Sequence, residues 1–376
     1  MSSGKYTAGG DCAGSIMAAV NNPFATARPR PINTLWRRAG PLLALSALAA
    51  ACAPLISPRA PRLTAPQLTE SGFFTSDGLR LPVRRWTPAR PPRAVVVALH
   101  GFNDYSKAFS AAPDVLGTGP YLAARGIAVV AYDQRGFGQS PGTGRWPGRD
   151  ALVADFNAVV AGVSAENPGV PVFGLGESMG GAVVLAAMGG RNPPPLAGLV
   201  LVAPAVWARR TMPDAYRVGL WLGARLTPGL RIASSSMGRQ ATDNLAVLAA
   251  NSHDPLFIKK TRVDTVSGLA DLMDEALAAV PRIAGPVLYL YGEKDQIIPQ
   301  RPSVEAMTAF APAGPRVRLV LYPHGWHMLL RDRQAETALS DVAAFLTDQS
   351  APLPSGGDQD ALPRLSRACK CARDGI

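Results

Sequence analysis

The chain has 376 residues, of which 47% are apolar and 17% charged, so it can form a large core and is neither a disordered acidic tail nor a highly charged surface protein. Its net charge of +11 is concentrated at the start, because residues 1–64 contain seven Lys or Arg and one acidic residue. Residues 65–350 carry only +4, which argues against nucleic-acid binding. All four cysteines lie outside 65–350, which excludes a disulfide framework or a cysteine zinc site there.

The first 51 residues have the pattern of an export signal. Four arginines, the last of them Arg38, precede an apolar block at 39–51 that ends in small residues, and Cys52 follows at once. This block is too short for a stable membrane-spanning helix. The prolines that follow predict an extended spacer over 52–68.

The middle of the chain alternates between strand and helix patterns. Residues 72–76 and 79–86 flank an Asp-Gly pair and predict an antiparallel hairpin. Residues 94–99 form a short apolar block rich in β-branched residues, which is typical of a strand buried on both faces. Similar blocks recur at 127–132, 172–175, 198–203, 286–291 and 317–321. Helix-length stretches separate several of them, so the sequence predicts an α/β fold with a mostly parallel sheet.

Residues 205–281 interrupt this alternation. Apolar residues such as Trp221 and Leu226 recur there at helical spacing, and no block is typical of a buried strand. We interpret this segment as a helical insertion; the alternative is a set of ordinary helices that flank the sheet. The composition of residues 351–376 predicts a disordered tail.

The strongest chemical signal surrounds Ser178. It lies in Gly-Glu-Ser-Met-Gly-Gly at 176–181, between a predicted strand and a predicted helix. Gly-x-Ser-x-Gly in that context is the nucleophile elbow, whose turn is too sharp for side chains at the glycine positions. The sequence therefore predicts Ser178 as a nucleophile; the alternative is a plain glycine-rich turn.

A serine nucleophile needs a base that takes its proton, and the chain has four histidines. His100 lies upstream, after the strand at 94–99, and His253 lies in the insertion. The loop after the last predicted strand contains both His324 and His327. His324 sits in a Pro-x-Gly turn, whereas His327 is far enough beyond the strand to reach over the serine. We therefore favour His327.

The imidazole must be held by a carboxylate. Asp295 follows the strand at 286–291 and is the preferred candidate, because Glu293 lies nearer the strand end, where we expect it to be solvated. The chain order Ser178, Asp295, His327 is the order known for enzymes with a nucleophile elbow.

The tetrahedral intermediate needs N–H donors for its negative oxygen. The backbone N–H of Met179, directly after the nucleophile, is one candidate. The backbone N–H of Phe102, after the strand at 94–99, is the other. The alternative for the second loop is a turn that only ends the strand.

Five segments together resemble the α/β-hydrolase superfamily, and specifically its monoacylglycerol lipase and lysophospholipase branch, also described as serine aminopeptidase-like S33 hydrolases. These segments are His-Gly-Phe-Asn at 100–103, Tyr-Asp-Gln-Arg-Gly-Phe-Gly-Gln-Ser at 132–140, the elbow at 176–181, Gly-Glu-Lys-Asp-Gln-Ile-Ile-Pro at 292–299 and His-Gly-Trp-His-Met-Leu-Leu at 324–330. The chain departs from the family at Glu177 and Gln134, because many relatives have His at both positions.

The resemblance implies an α/β-hydrolase domain over 69–350, with a mostly parallel eight-stranded sheet, helices on both faces and a helical cap at about 205–281. In relatives the cap is apolar and admits a single acyl chain, and residues 218–222 with Leu226 are the candidates for that wall. The cap arginines are candidates for contact with a phosphate or a lipid surface, or are simply solvated; they are Arg209, Arg210 and Arg217.

The implied activity is that of a serine carboxylic-ester hydrolase, without metal or cofactor, acting on monoacylglycerol or lysophospholipid. A short-chain carboxylesterase, an amidase or peptidase, and an acyltransferase of the same fold remain open. A non-catalytic binding lipoprotein is a remote alternative.

The small residues before Cys52 resemble the lipobox of bacterial lipoproteins, although Ala49 stands where Leu is usual. In that family the cysteine is acylated and becomes the first residue of the mature chain. The resemblance implies a membrane-anchored lipoprotein of the cell envelope, whose partners are the membrane surface and a small lipid or ester substrate. Export without a lipid anchor, to the periplasm or the exterior, is the alternative.

Overall fold

One large sheet forms the centre of the described chain. The computed structural model describes residues 63–112, 114–233 and 238–374. Its strands are, in chain order, β1 Gln67–Leu68, β2 Gly72–Phe74, β3 Arg80–Trp86, β4 Ala94–Leu99, β5 Ile127–Tyr132, β6 Val172–Glu177, β7 Gly198–Val202, β8 Arg231–Ala233, β9 Lys260–Arg262, β10 Val287–Gly292 and β11 Val317–Tyr322. Strands β8 and β9 pair only with each other, and the other nine form the central sheet.

The central sheet is mostly parallel, with the order β1-β2-β3-β5-β4-β6-β7-β10-β11. Only β1, β2 and β3 are antiparallel to their neighbours. The predicted hairpin is present, since Phe74 pairs with Arg80 across a turn in which Gly78 has a φ of 82°. The sheet has nine strands rather than the expected eight, because Gln67–Leu68 pairs with β2 instead of belonging to the spacer at 52–68. Two residues are too few to produce a recognisable strand pattern.

Helices cover both faces of the sheet, as the sequence predicts. They are, in chain order, α1 Thr118–Ala123, α2 Arg149–Glu166, α3 Met179–Met188, α4 Asp214–Leu226, α5 Leu245–His253, α6 Val263–Ala279, α7 Gln300–Phe310, α8 Ala335–Thr347 and α9 Ala361–Asp374. Successive strand side chains point to opposite faces, so Val95 and Val97 of β4 enter one buried cluster and Val96 enters the other. The first cluster includes side chains of α2, α3, α6, α7 and α9, and the second includes those of α1 and α8.

The segment between β7 and β10 has two parts. Residues up to 262 contain α4, α5 and the β8–β9 pair, and form the cap. Helix α6 instead flanks the sheet, since its Leu272 lies in the main buried cluster and its Ala279 lies against Gly189 at the end of α3. The predicted insertion at 205–281 was therefore too long. Apolar periodicity does not distinguish a cap helix from a helix packed on the sheet.

Residues 351–374 pack on the domain, so the predicted disordered tail at 351–376 was wrong for this part. Leu365 of α9 is fully buried, and the carbonyl oxygen of Gly357 accepts a 2.9 Å hydrogen bond from the N–H of Leu321 in β11. Within residues 361–369 of α9, only Ala361 and Leu365 are buried, so the segment has a polar composition that does not reveal the helix.

The predicted leader at 1–51, Cys52 and most of the proline-rich spacer lie outside the described residues. Within the described ranges, no helix is both long enough and apolar enough to cross a membrane.

Candidate active site

Three loops at the carboxyl edge of the parallel sheet carry the predicted triad. Ser178 directly follows β6, Asp295 follows β10 and His327 follows β11. Parallel strands end at the same sheet edge, which is where open α/β sheets bind ligands. All three residues are largely buried, with exposed fractions of 8%, 8% and 5% respectively.

Ser178 sits on a strained turn between β6 and α3. Its φ of 53° is a conformation that non-glycine residues rarely adopt. A side chain on Gly176 would collide with the backbone of Gly180, and one on Gly180 would collide with the carbonyl group of Leu99. The glycines of the predicted elbow are therefore required by close backbone packing, which holds Ser178 at the start of a helix.

Asp295 and His327 form a direct pair. His327 Nδ1 lies 2.8 Å from Asp295 Oδ2. The other oxygen, Asp295 Oδ1, accepts the backbone N–H groups of Ile297 at 2.7 Å and Ile298 at 2.9 Å. The carboxylate is thereby fixed, and it favours the tautomer with the proton on Nδ1, which leaves Nε2 free to accept a proton.

Backbone hydrogen bonds between the two loops explain this pairing. The N–H of Glu293 donates to Tyr322 O at 3.0 Å, and the N–H of Lys294 donates to Gly325 O at 2.9 Å. His324 is exposed. The structure therefore joins His327, and not His324, to the predicted aspartate.

The surroundings of His327 favour its charged form. Burial alone would lower its pKa, but the charge and hydrogen bond of Asp295, with the charge of Glu177, outweigh burial and raise the pKa above its usual value. Arg331 opposes this rise.

The structure does not join Ser178 to the imidazole. Among the described residues, no hydrogen bond forms between Ser178 Oγ and His327, although the nucleophile and the Asp–His pair share one sheet edge. Such bonds are often long in unliganded enzymes and shorten in the substrate complex.

The predicted oxyanion donors lie beside Ser178. A side chain on Gly101 would contact Ser178 Cβ at 3.4 Å, so the loop that carries Phe102 passes close to the nucleophile. Met179 is the first residue of α3. Neither the Phe102 nor the Met179 N–H donates to another described residue, so no intramolecular bond in the described part of the chain occupies either donor.

His100 has a structural role. Its Nδ1 lies 2.8 Å from Gly101 O, and its Nε2 accepts the backbone N–H of Gln134 at 3.0 Å. Burial lowers its pKa. With both ring nitrogens engaged, His100 cannot act as the base.

An ion cluster next to the triad was not predicted from the sequence. The buried Arg331 guanidinium donates to Asp104 Oδ2 at 2.7 Å and to Glu177 Oε1 at 2.9 Å. The sequence did contain a hint of buried charges, because Asp104, Glu177 and Arg331 are charged residues that lie inside or next to apolar motifs. The sequence could not predict that Glu177 pairs with Arg331, because the two residues are 154 positions apart in the chain.

The cap contacts the loops that carry the site. Asn103 Nδ2 donates to Thr261 Oγ1 at 2.7 Å, and the N–H of Ile258 donates to Asn103 O at 2.9 Å. The N–H of Met328, next to His327, donates to Ala241 O at 2.9 Å. The cap is therefore attached to the predicted oxyanion loop and to the histidine loop.

The cap arginines are paired at the surface, and most of the apolar residues proposed for the acyl wall are exposed. The three arginines all pair with carboxylates of this chain; the pairs are Arg209 with Asp271 and Asp274, Arg210 with Glu305, and Arg217 with Asp214. The apolar candidates for an acyl wall lie on the outside of α4, with exposed fractions from 42% to 67%; they are Val218, Trp221, Leu222 and Leu226.

Comparison with known proteins places this geometry in context. Residues 90–334 match the sequence profile of a family described as serine aminopeptidase, S33. A monoacylglycerol lipase of Mycolicibacterium smegmatis is 30% identical over 285 residues, which cover 74% of this chain and 96% of the relative. A human monoglyceride lipase is 29% identical over 256 residues, covering 64% of this chain and 78% of the relative.

The fold also matches solved structures. The crystal structure of a soluble variant of monoglyceride lipase from Saccharomyces cerevisiae superposes with a TM-score of 0.61 at 22% identity. The match covers 78% of this chain and 98% of that structure. This likeness confirms the α/β-hydrolase fold.

Proposed function

Because the chain belongs to the serine aminopeptidase S33 family of α/β-hydrolases, it is an ester hydrolase, and we propose that it cleaves the ester bond of single-chain lipids, either monoacylglycerols or lysophospholipids. The observation that carries the proposal is the buried His327–Asp295 pair, which shares a sheet edge with Ser178 on its strained elbow.

In the proposed reaction, Ser178 Oγ attacks the ester carbonyl while His327 Nε2 takes the hydroxyl proton. Asp295 keeps the imidazole in the tautomer that can accept this proton and stabilises the imidazolium that forms. The unpaired N–H groups of Phe102 and Met179 stabilise the negative oxygen. His327 then protonates the leaving alcohol, and a water activated by the same imidazole releases the fatty acid from Ser178.

Lipid substrates are supported by the cap. Its helix α4 exposes several large apolar side chains, and Arg225 lies over the ring of Trp221 at 4.3 Å. Soluble proteins rarely expose such a surface unless it contacts an apolar partner. The names of the bacterial and human relatives, a monoacylglycerol lipase and a monoglyceride lipase, agree with this substrate class.

An amide or peptide hydrolase would need a carboxylate that binds a free amine near the serine. Glu177 is the nearest acid in the chain, but it is 2% exposed and its Oε1 accepts a hydrogen bond from Arg331. It is therefore not available to an amine, and this weighs against the peptidase alternative.

We also propose that Cys52 carries a lipid that anchors the enzyme at the cell envelope. The support is the sequence pattern of a basic stretch, an apolar block and small residues directly before the cysteine. An anchor of this kind would keep the active site close to membrane lipids.

The test is hydrolysis of a matched substrate series by the full chain in detergent. The series contains monoacylglycerols and lysophospholipids of increasing acyl length, together with short-chain esters, and a Ser178→Ala variant is the control. We expect activity that rises with acyl length and is lost in the control. Activity on short esters alone would make the protein a general esterase, and no ester hydrolysis by the folded chain would contradict the proposal.

A further inference from the structure

A buried ion cluster joins three segments of the candidate active site. Arg331 is 4% exposed, and its two carboxylate partners, Asp104 and Glu177, are 4% and 2% exposed. Asp104 lies two residues after Phe102, Glu177 is the last residue of β6 and directly precedes Ser178, and Arg331 lies four residues after His327. The three members of the cluster therefore come from the loop of Phe102, the strand that ends at Ser178 and the loop of His327.

The geometry of the cluster restrains these loops strongly. The two guanidinium nitrogens of Arg331 bind different carboxylates, Nη1 to Asp104 and Nη2 to Glu177. A planar guanidinium directs its N–H groups in fixed directions, so it sets the spacing of its partners in a way that a lysine cannot. Breaking such a pair leaves an uncompensated charge in the interior, which is strongly destabilising.

The cluster and Asp295 together place charges of both signs around the imidazole of His327. Asp295 and Glu177 favour the protonated form of His327, and Arg331 disfavours it. Two further acids lie nearby. Asp332 accepts the N–H of Trp326 at 2.7 Å and has a pKa raised to about 7 by burial, and Asp243 lies next to it. Of the two carboxylates bound to Arg331, Glu177 is the one whose charge is among the main causes that raise the pKa of His327.

We propose that Arg331, Glu177 and Asp104 are positioning residues, which hold the loop of Phe102, the end of β6 at Ser178 and the loop of His327 in register. The charge part of the proposal concerns the Glu177–Arg331 ion pair, which joins the residue before Ser178 to the loop of His327 at 2.9 Å and places two opposite charges beside the catalytic groups. The proposal rests on the proposed role of His327 as the base. It also gives a role to Glu177, the residue at which this chain departs from relatives that have His before the serine.

The charge part of the proposal is tested with Glu177→Gln. Gln fills the same volume and its oxygen still accepts from Arg331, so we expect the variant to fold. Loss of the negative charge should lower the pKa of His327 and move the acid limb of the kcat/KM profile to lower pH by about half a unit or more. Asp104→Asn is the matched control, because it removes a charge bound to the same arginine that is not among the main causes of the His327 pKa shift, and it should move the limb less.

The register part is tested with Arg331→Lys, which keeps the charge and loses the fork geometry. We expect kcat to fall by about tenfold or more while the acid limb stays in place, because misplaced catalytic groups lower the rate without changing the charge at His327. This variant tests the proposal separately if Glu177→Gln does not fold.

NMR titration of the histidine ring in the full chain separates this proposal from the proposed function. The His327 signal is assigned by its loss in His327→Gln, and its titration needs no substrate. A lower His327 pKa in Glu177→Gln supports the charge part even if no ester is cleaved. An unchanged titration in folded Glu177→Gln, an equal shift in Asp104→Asn, or an unchanged kcat in Arg331→Lys would overturn the proposal.

Discussion

At the scale of single residues, the site depends on how Asp295 divides its two oxygens. One oxygen faces the imidazole of His327, and the other accepts the backbone N–H groups of Ile297 and Ile298. The same side chain therefore shapes its own loop and orients the base. Neutralising the Asp295 carboxylate should affect these two roles differently.

Asp295→Asn should separate the two tasks. The amide oxygen can still accept from the two N–H groups, so the loop and the stability of the protein should be retained. The amide NH₂ cannot accept the proton on Nδ1, so the imidazole loses the required tautomer. We expect kcat to fall by about 10⁴-fold, measured in parallel with the midpoint of urea unfolding.

Glu293→Gln is the matched control for this variant, because Glu293 lies two residues earlier and, among the described residues, its side chain pairs only with Arg364 at the surface. Its kcat should equal that of the wild type. Equal losses in the two variants, or an unaffected Asp295→Asn enzyme, would contradict the assignment of Asp295.

The members of the candidate triad could be predicted because each belongs to a short local motif with a known spacing. Ser178 stands in an elbow pattern, and Asp295 and His327 each follow a recognisable strand. Arg331 and Glu177 could not be paired in this way. Their contact is made by the tertiary fold, and opposite charges far apart in the chain have many possible partners.

At the scale of structural elements, two helical glycines should respond in opposite ways to substitution by alanine. Gly180 lies in the first turn of α3 against the carbonyl group of Leu99, whereas Gly219 lies in exposed α4 with no atom near the position of a Cβ. The same substitution should therefore change stability in opposite directions.

Gly219→Ala should raise the free energy of unfolding by up to about 1 kcal/mol, because alanine has the higher helix propensity. Gly180→Ala should lower it by about 1–3 kcal/mol, because the added methyl group meets backbone that cannot move aside. Urea unfolding followed by circular dichroism measures both. A stable Gly180→Ala variant would mean that the elbow is less closely packed than described.

Helix α9 is the element that the composition of the sequence did not predict. Its buried side chains are few, but Leu365 is fully buried in the main cluster, and Arg364 pairs with Glu293 near Asp295. Composition averages over all faces of a helix, so a narrow buried stripe on a polar helix is easily missed. The contacts themselves indicate that α9 contributes to stability.

Leu365→Ala should cost about 2–5 kcal/mol of unfolding free energy, because it leaves a cavity between α9 and the sheet. Arg367→Ala, two residues further along on the exposed face, should change stability by less than about 0.5 kcal/mol. The comparison is made by urea unfolding of the full chain. A Leu365→Ala variant as stable as Arg367→Ala would show that α9 does not dock in solution.

At the scale of the whole molecule, the fold of the hydrolase domain and the presence of a leader were predicted from different sequence signals. The α/β fold could be predicted because its strands read as compact apolar blocks. The limits of the cap could not, since α6 has the same periodicity whether it covers the site or the sheet. The leader is predicted from sequence pattern alone, and its test is biochemical.

Cys52→Ser should release the protein from the membrane fraction if the cysteine is lipidated. Each buried CH₂ group of an acyl chain contributes about 0.8 kcal/mol to membrane binding, so loss of the lipid removes most of the attachment. The measurement is fractionation after a carbonate wash, together with incorporation of labelled palmitate. Cys369→Ser, in α9, is the control and should stay in the membrane fraction, whereas retention of Cys52→Ser would place the anchor elsewhere.

The hydrogen bond from Leu321 to Gly357 also affects how the chain can assemble. Strand β11 is the last strand of the central sheet, and a free strand edge is a template on which another polypeptide can add. The segment that covers this edge comes later in the chain than the strand itself. During synthesis, the edge of β11 therefore stays uncovered until that segment emerges, and we expect this exposed edge to favour aggregation during that interval.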